Sequence, residues 1–240
     1  MKQLLNNGAS ELNIDLNDVK LDKFSKFMSM LIETNKVLNL TAITEPEEIV
    51  TKHFLDSLTA CSFIPKSASV IDVGCGAGFP GLPVKFARDD ISLTLLDSLL
   101  KRLSFIDSVL KETKTDGVNC VHLRAEDGGR DKVHREKYDV AISRAVANMA
   151  VLSEYCLPYV KVGGSFLALK GPAASEEIKC AEKAIKTLGG EVAEVAEVSV
   201  PYTDLLHKIV VIKKVAPCPS VYPRKAGVPA KKPIGVAERS

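Results

Sequence analysis

Hydrophobic positions in the first 60 residues repeat at the spacing of an α-helix. One apolar face is formed by six residues at this spacing: Leu21, Phe24, Phe27, Met28, Leu31 and Ile32. The segment 39–42 interrupts the pattern. Thr44 followed by Pro46 then predicts a second helix, with Thr44 as its N-cap and Pro65 beyond its end. These signals predict an N-terminal helical cap, which we place at residues 1–64.

From Ser67 onward, short runs of β-branched residues alternate with helical stretches. The runs predict seven strands, near 69–73, 91–97, 118–123, 138–143, 165–169, 191–199 and 208–213, with helices in most gaps, such as 101–111, 149–160 and 175–188. Such alternation indicates an α/β fold with a mostly parallel, doubly wound sheet. No helix separates the last two strands, so we expect them to form an antiparallel hairpin. This core is predicted to cover residues 65–215, as one structural unit with the cap.

The last part of the chain differs from the rest in charge and composition. Residues 213–240 carry seven lysines and arginines against one glutamate, about +6, which leaves about −4 of the total +2 for the remainder. Five prolines follow Lys214, and apolar residues are few. The pattern predicts an extended tail, residues 216–240, with no core of its own. It favours either a polyanion such as RNA as partner or a merely solubilising appendage.

Composition narrows the class of protein. Apolar residues make up 46% of the chain, enough for a full core, and the longest apolar runs are too short to span a bilayer. The N-terminus turns polar at once, so we expect no signal peptide. The six cysteines form no Cys-x-x-Cys pair, which indicates free thiols in a reducing compartment and no metal site. We therefore expect a cytoplasmic monomer with no membrane partner.

A glycine-rich segment, residues 69–81, carries the strongest local signal. A predicted buried strand runs into a turn with Gly74, Gly76 and Gly78, and a helix follows. Glycines let the backbone turn sharply and let a ligand approach closely. Asp97 ends the next predicted strand, where its carboxylate can accept hydrogen bonds from both hydroxyls of a ribose. These features predict a nucleoside site.

The spacing distinguishes between nucleoside cofactors. Dinucleotide sites use Gly-x-Gly-x-x-Gly around a pyrophosphate, whereas here the third glycine comes one residue early and Phe79 takes its place. Asp72 is poorly placed for a pyrophosphate and suits the cationic amino group or sulfonium of S-adenosylmethionine. With the antiparallel last strand, this predicts a Rossmann-like class I methyltransferase. A tight turn without a ligand is the alternative, and Cys75 within the loop is interpreted as a small filler rather than a reactive thiol.

Motifs along nearly the whole chain resemble the glucose-inhibited division protein B family, the small-subunit (16S) ribosomal RNA guanine-N7 methyltransferases. The segments that carry the resemblance, in order, are 39–43, 52–57, 72–81, 96–98 with Lys101-Arg102, 124–126, 143–146, 168–171 and 222–227. Their number, order and spacing make the match specific. Two positions depart from the family pattern. Thr34 stands where many members have Trp, and His207-Lys208 enters the last strand where an Arg is usual.

The resemblance implies a class I fold with a helical cap, S-adenosylmethionine as cofactor, and small-subunit ribosomal RNA or the ribosomal subunit as partner. It implies that Gly74 and Phe79 line the cofactor, that Ala125 and Glu126 hold its adenine, and that Arg144 closes the pocket. Contacts to the cleft or the RNA are expected from a further set: Asn39, His53, Lys101, Arg124, Lys170, and, in a tail found in a subset of members, Arg224, Lys225, Lys231 and Lys232.

Guanine N7 is a lone pair with no proton to lose, so this reaction requires no general base. The catalytic contribution is positioning for an in-line displacement, and we assign it to Arg144 and Arg124. Plain structural alternatives are a salt bridge from Arg144 to a carboxylate, pairing of Arg124 with Glu126, and packing of His53 on a helix. The chain lacks the Asn/Asp-Pro-Pro-Tyr signature of methylation at exocyclic amines. Its one Pro-Cys pair, Pro217-Cys218, lies beyond the last predicted strand, where it is badly placed to act as the covalent cysteine used in methylation of pyrimidine carbon 5.

Three other classes of function stay open from the residues. One is methylation of another RNA base, a protein or a small molecule. A nicotinamide-dependent oxidoreductase has a similar sheet but different glycine spacing. A non-catalytic RNA-binding assembly factor would use the basic tail and an inert nucleotide fold.

Overall fold

The computed structural model describes residues 1–204 and 206–236. The α-helices are α1 (Lys2–Glu11), α2 (Asp18–Leu38), α3 (Pro46–Glu48), α4 (Asp56–Leu58), α5 (Gly81–Ala87), α6 (Leu100–Thr113), α7 (Ala125–Gly128), α8 (Met149–Cys156), α9 (Ala174–Thr187) and α10 (Val228–Lys231). A π-helical segment covers Ile49–Leu55, and 3₁₀ turns cover Thr59–Phe63 and Leu157–Tyr159. The strands are β1 (Ser69–Val73), β2 (Ser92–Asp97), β3 (Val118–His122), β4 (Tyr138–Arg144), β5 (Val160–Lys170), β6 (Gly190–Ser199) and β7 (Leu206–Lys214).

The seven strands form one sheet in the order β3-β2-β1-β4-β5-β7-β6. Strands β1 to β5 run parallel, whereas β7 pairs antiparallel with both β5 and β6. The predicted doubly wound sheet with an antiparallel last strand is therefore confirmed. The chain moves outward from β1 to β3 and then returns to β4 on the other side of β1. In open α/β sheets, such a switch point opens a crevice at the carboxyl ends of the strands.

The long N-terminal helix α2 packs against helices α5 and α6 of the core. Helix α2 buries Leu21, Phe24, Phe27 and Leu31, four positions of its predicted apolar face. The second predicted helix begins one residue later than expected, with Glu45 rather than Thr44 as its N-cap. Pro46 occupies the first helical position, where its fixed φ and missing N–H are tolerated, so the residue before it becomes the cap.

An aromatic cluster joins the cap to the sheet. Phe27 is fully buried, and its ring contacts four other phenylalanine rings: Phe54, Phe79, Phe86 and Phe105. The ring centroids of Phe27 and Phe79 are 5.2 Å apart. Phe79 belongs to the glycine-rich loop after β1. The loop is therefore held from behind by side chains of the cap.

The stretch between β4 and β5 differs from the prediction. The helix expected over 149–160 ends at Cys156, a 3₁₀ turn follows, and β5 begins at Val160. Pro158 is the physical reason, because it lacks an N–H and restricts the residue before it. Strand β5 is correspondingly longer than the predicted 165–169.

The C-terminal segment is not the extended tail that its composition predicts. Arg135 donates to the carbonyl oxygens of Cys218 (2.7 Å) and Tyr222 (2.7 Å), and Arg130 donates to that of Pro223 (2.6 Å). Pro229, at the start of α10, is buried. Side chains of the core thus hold the main chain of this segment, which needs no apolar core of its own. Residues 237–240 of the predicted tail lie outside the described residues.

We predict that Phe27→Ala destabilises the protein by about 3–5 kcal/mol, because it leaves a cavity in the aromatic cluster. Val37→Ala on the same helix is the matched control, since Val37 is 79% exposed and should change the free energy of unfolding by less than about 0.5 kcal/mol. Chemical denaturation of both variants measures the difference. Equal stability of the two variants would show that the cluster does not support the fold.

Candidate functional site

A cleft of about 620 Å³ opens at the carboxyl ends of the central strands. Loops after β1, β2, β3 and β4 supply most of its wall, as expected for a switch point. Among the residues expected at the cofactor or the catalytic centre, eight line it: Gly74, Gly76, Phe79, Asp97, Arg124, Ala125, Glu126 and Arg144. Asp72 and Gly78 do not line it.

The glycine-rich loop leaves open space on its cleft side. Gly76 has φ +57°, and a Cβ built there would meet no protein atom within 4 Å. A ligand can therefore approach the backbone at this position. Gly78 has another role, because its Cβ would lie 2.7 Å from a methyl carbon of Leu82. Its glycine is explained by packing and by φ +100° rather than by the cleft.

Asp72 lies fully buried beneath the loop. Its Oδ2 accepts a hydrogen bond from the amide of Gly81 (2.8 Å), whereas Oδ1 has no partner among the described residues. Burial raises the pKa of this carboxyl well above its usual range, and the Gly81 bond only partly opposes the rise. An unsatisfied buried oxygen is costly, so the site is suited to a donor or cation that would reach it.

Asp97 stabilises the loop from the end of β2. Its Oδ2 accepts from the amide of Gly76 (3.0 Å), and its Oδ1 accepts from the amide of Leu99 (2.8 Å). Arg102 lies 3.3 Å from Oδ2 and also lines the cleft. Sequence reasoning selected Lys101 instead, which is exposed and outside the lining. Successive helical side chains point about 100° apart, so only one of this pair can face the cleft.

Arg144 extends from the end of β4 to the N-terminal cap. Its Nη1 contacts Oδ2 of Asp56 (2.5 Å) and the carbonyl oxygen of Lys52 (3.1 Å), and its guanidinium carbon lies 5.2 Å from the Phe79 ring centroid. The salt bridge that was an alternative to a site role is therefore present, and Arg144 lines the cleft as well.

Asp56 is the acceptor for two cationic side chains. Its side chain is 3% exposed, and its Oδ1 also contacts Nδ1 of His207 (2.6 Å). Burial acts to raise the pKa of Asp56, but the His207 hydrogen bond and the Arg144 charge outweigh it and lower the pKa. The same hydrogen bond raises the pKa of His207. Asp56 and His207 were not predicted as site residues, because their roles depend on contacts between elements distant in sequence.

His53, in the π-helical segment, lines the cleft between Arg144 and Phe79. Its ring stacks on Phe79 with centroids 4.4 Å apart, and its Nδ1 accepts from Nη2 of Arg144 at 3.1 Å. Nε2 therefore carries the proton and donates to the hydroxyl of Thr41 (2.8 Å). Burial, followed by the charge of Arg144, lowers the pKa of His53 to about 4, so the ring is neutral at physiological pH.

The far end of the cleft is formed by Ala125, Glu126 and three residues that sequence reasoning missed: Tyr155, Gly227 and Ala230. Glu126 is buried, and its Oε1 accepts from the amide of Gly227 (2.8 Å). Arg124 is exposed and precedes α7. Within residues 1–204 and 206–236, it forms no salt bridge with Glu126.

Several residues expected to contact RNA do not line the cleft. Asn39 is exposed and caps α2 in a left-handed conformation (φ 48°), while its neighbours Leu40 and Thr41 line the cleft. Lys170 is not a free cation. Its ammonium group bonds Glu177 (2.7 Å) and the carbonyl oxygen of Ala147 (2.7 Å), and its side chain is 10% exposed.

The tail cations divide into two groups. Arg224 is bound by the buried carboxylate of Glu154, which requires a cation, and its expected contact with RNA stays a prediction. Lys225, Lys231 and Lys232 are exposed. None of the four lines the cleft.

Burial raises the pKa of the Cys75 thiol well above its usual range, which agrees with a packing role. In the part of the chain that the structure describes, no cluster of His, Cys, Asp and Glu is arranged to hold a metal ion. No described helix is both long and apolar enough to cross a membrane.

Solved structures share the fold. A SAM-dependent O-methyltransferase from Thermotoga maritima matches with a TM-score of 0.51 and 17% identity, covering 78% of this chain and 71% of that chain. A predicted O-methyltransferase from Agrobacterium tumefaciens matches with a TM-score of 0.52 and 18% identity, covering 68% of this chain and 80% of that chain. At such identities the likeness concerns the fold alone, and it is the expected Rossmann-like class I methyltransferase fold.

Sequence comparisons are more specific. The GidB family model, described as rRNA small subunit methyltransferase G, matches residues 20–206. A ribosomal RNA small subunit methyltransferase G from Alkaliphilus oremlandii is 53% identical over 236 residues, 98% of this chain and 99% of that protein. The protein of the same name from Desulforamulus reducens is 51% identical over 232 residues, 96% of this chain and 97% of that protein. The chain therefore belongs to the GidB family of ribosomal RNA small subunit methyltransferases.

Proposed function

We propose that this protein transfers a methyl group from S-adenosylmethionine to N7 of a guanine in small-subunit ribosomal RNA. The observation that carries the proposal is the cleft at the switch point, where the glycine loop, Asp97 and Glu126 converge in a chain of this family. The relatives' names specify small-subunit ribosomal RNA as substrate class. The resemblance of the motifs adds guanine N7 as the atom.

The chemistry of the lining fits this cofactor. The carboxylate of Asp97 has lone pairs beyond those used by the amides of Gly76 and Leu99, which leaves acceptor capacity for ribose hydroxyls. Glu126 and Ala125 would hold the adenine. The unpartnered Oδ1 of Asp72, beneath the loop, would accept a hydrogen bond from a water molecule that also contacts the amino group. When bound, the cofactor supplies an electrophilic methyl group.

The residues around the acceptor would position it rather than remove a proton. N7 offers a lone pair, so no general base is required, and the neutral His53 beside Arg144 is consistent with that chemistry. Arg144 is a fixed cation at the rim of the cleft. It would hold a guanine oxygen or an RNA phosphate, with Asp56 and His53 fixing its guanidinium. Arg124 is exposed at the rim and available to the RNA.

Incubation with radiolabelled S-adenosylmethionine and small ribosomal subunits tests the proposal. We expect labelled RNA that yields 7-methylguanine on digestion. Asp97→Ala should lower kcat/KM at least about tenfold, because it removes the acceptor for the ribose and the brace of the loop. Asp116→Ala is the matched control and should leave kcat/KM unchanged, because this exposed aspartate precedes β3 and so lies at the amino ends of the strands, whereas the cleft is at their carboxyl ends. Labelled RNA without 7-methylguanine would contradict the assignment of the base.

The His207–Asp56 bond should make stability depend on pH. Because folding raises the pKa of His207, its stabilising contribution is fully present below pH 6.5 and is lost as pH rises through the folded pKa. We expect His207→Gln to cost about 1–2 kcal/mol of unfolding free energy near pH 6 and less at pH 9. In an Asp56→Asn background, this pH dependence should disappear. A cost in unfolding free energy that does not change with pH would show that Asp56 does not raise the pKa of His207.

The exposed tail lysines are expected to contact RNA phosphates. The double variant Lys225→Ala/Lys231→Ala should weaken RNA binding and reduce the slope of log affinity against log salt by about one unit per lost contact. Lys66→Ala is the control, because this exposed lysine lies just before the amino end of β1, whereas the cleft is at the carboxyl ends of the strands. If the double variant keeps the wild-type slope, these lysines act only as solubilising groups.

A further inference from the structure

Residues 216–232, here called the C-terminal strap, reach the wall of the cleft. Gly227 and Ala230 line it beside Glu126 and Tyr155. The composition of the strap indicated a solvated tail, yet it forms part of the site at the end expected to hold adenine.

A buried ion pair anchors the strap. Glu154 on α8 is 0% exposed, and its carboxylate accepts hydrogen bonds from three donor groups of Arg224: the backbone amide (2.7 Å), Nε (2.9 and 3.1 Å) and Nη2 (2.6 Å). A buried carboxylate that lost this partner would be left without its compensating charge, which is strongly unfavourable. The ion pair of Arg224 with Glu154 therefore anchors the strap to α8.

The anchor lies three residues before the contact with the cleft. Gly227 adopts φ +81°, a left-handed conformation that favours glycine, and then begins α10. Its amide donates to Oε1 of Glu126 (2.8 Å). Oε2 of Glu126 makes no hydrogen bond to any described residue, so it remains available to a ligand in the cleft.

We propose that the strap completes the adenine subsite of the cofactor cleft. Arg224 acts as a positioning residue. By binding Glu154 it places the Gly227 amide on Glu126, which fixes one carboxylate oxygen and directs the other to the exocyclic amino group of an adenine. Ala230 lines the same end of the cleft. The inference rests on the proposed cofactor, and it gives Arg224 a role separate from that of the exposed strap lysines.

The test compares two nucleosides that differ at this amino group. Calorimetry measures the Kd of S-adenosylhomocysteine and of S-inosylhomocysteine, in which an oxygen replaces the amine. The wild-type protein should prefer the adenosine compound. Arg224→Ala should weaken its binding at least about tenfold and reduce the preference over the inosine compound, because Glu126 loses its fixed orientation. Lys179→Ala, at an exposed lysine of α9 with no assigned binding role, should leave both Kd values unchanged.

A second variant covers the case in which Arg224→Ala does not fold. Glu154→Leu/Arg224→Leu removes both charges and leaves no unpaired buried carboxylate, and it should show the same loss of affinity and preference. Wild-type affinity and preference in a folded anchor variant would overturn the inference, as would equal weakening for both nucleosides. If the wild-type protein binds neither nucleoside, the proposed cofactor itself is wrong. That result differs from the failure of the strap alone.

Discussion

The buried carboxylate of Asp56 connects three parts of the molecule. It belongs to the N-terminal cap, yet its two oxygens contact Arg144 at the end of β4 and His207 at the start of β7. Because a buried carboxylate is costly without charged or hydrogen-bonding partners, the cap, the central strands and the hairpin are constrained together. Arg144 is thereby held against Phe79 and His53, on the rim of the cleft. The geometry of the candidate site thus depends on an interaction outside the glycine motif.

The sheet could be predicted because its signals are local. Alternating β-branched and helical patterns gave the strands to within a few residues, except where Pro158 shortened a helix and lengthened β5. The fate of the C-terminal segment could not be predicted in this way. Its main-chain carbonyls are bound by Arg130 and Arg135, which lie far away in sequence. A segment with few apolar residues can be ordered by polar contacts that its own composition does not reveal.

The residues of the candidate site also fall into those that local sequence signals predict and those that they do not. The glycine loop and Asp97 follow directly from strand ends, and the structure places them together in the cleft. The residues that were missed, such as Asp56, Tyr155 and Gly227, reach the site from other elements. Charge alone was a poor guide to which cations are unpaired, because Lys170 and Arg224 are both bound to carboxylates of the protein. Whether a cation is available to RNA depends on its partners in three dimensions.

The contact between Phe27 and Phe79 limits which fragments of the protein can keep the shape of the cleft. Phe79 belongs both to the cleft lining and to the aromatic cluster of the cap. The glycine-rich loop is thus not a self-sufficient module that retains its shape when transplanted with the sheet alone. A fragment without the cap would keep every glycine of the motif and lose the surface against which the loop rests. In this chain, the shape of the cleft therefore depends on correct packing of the N-terminal helices.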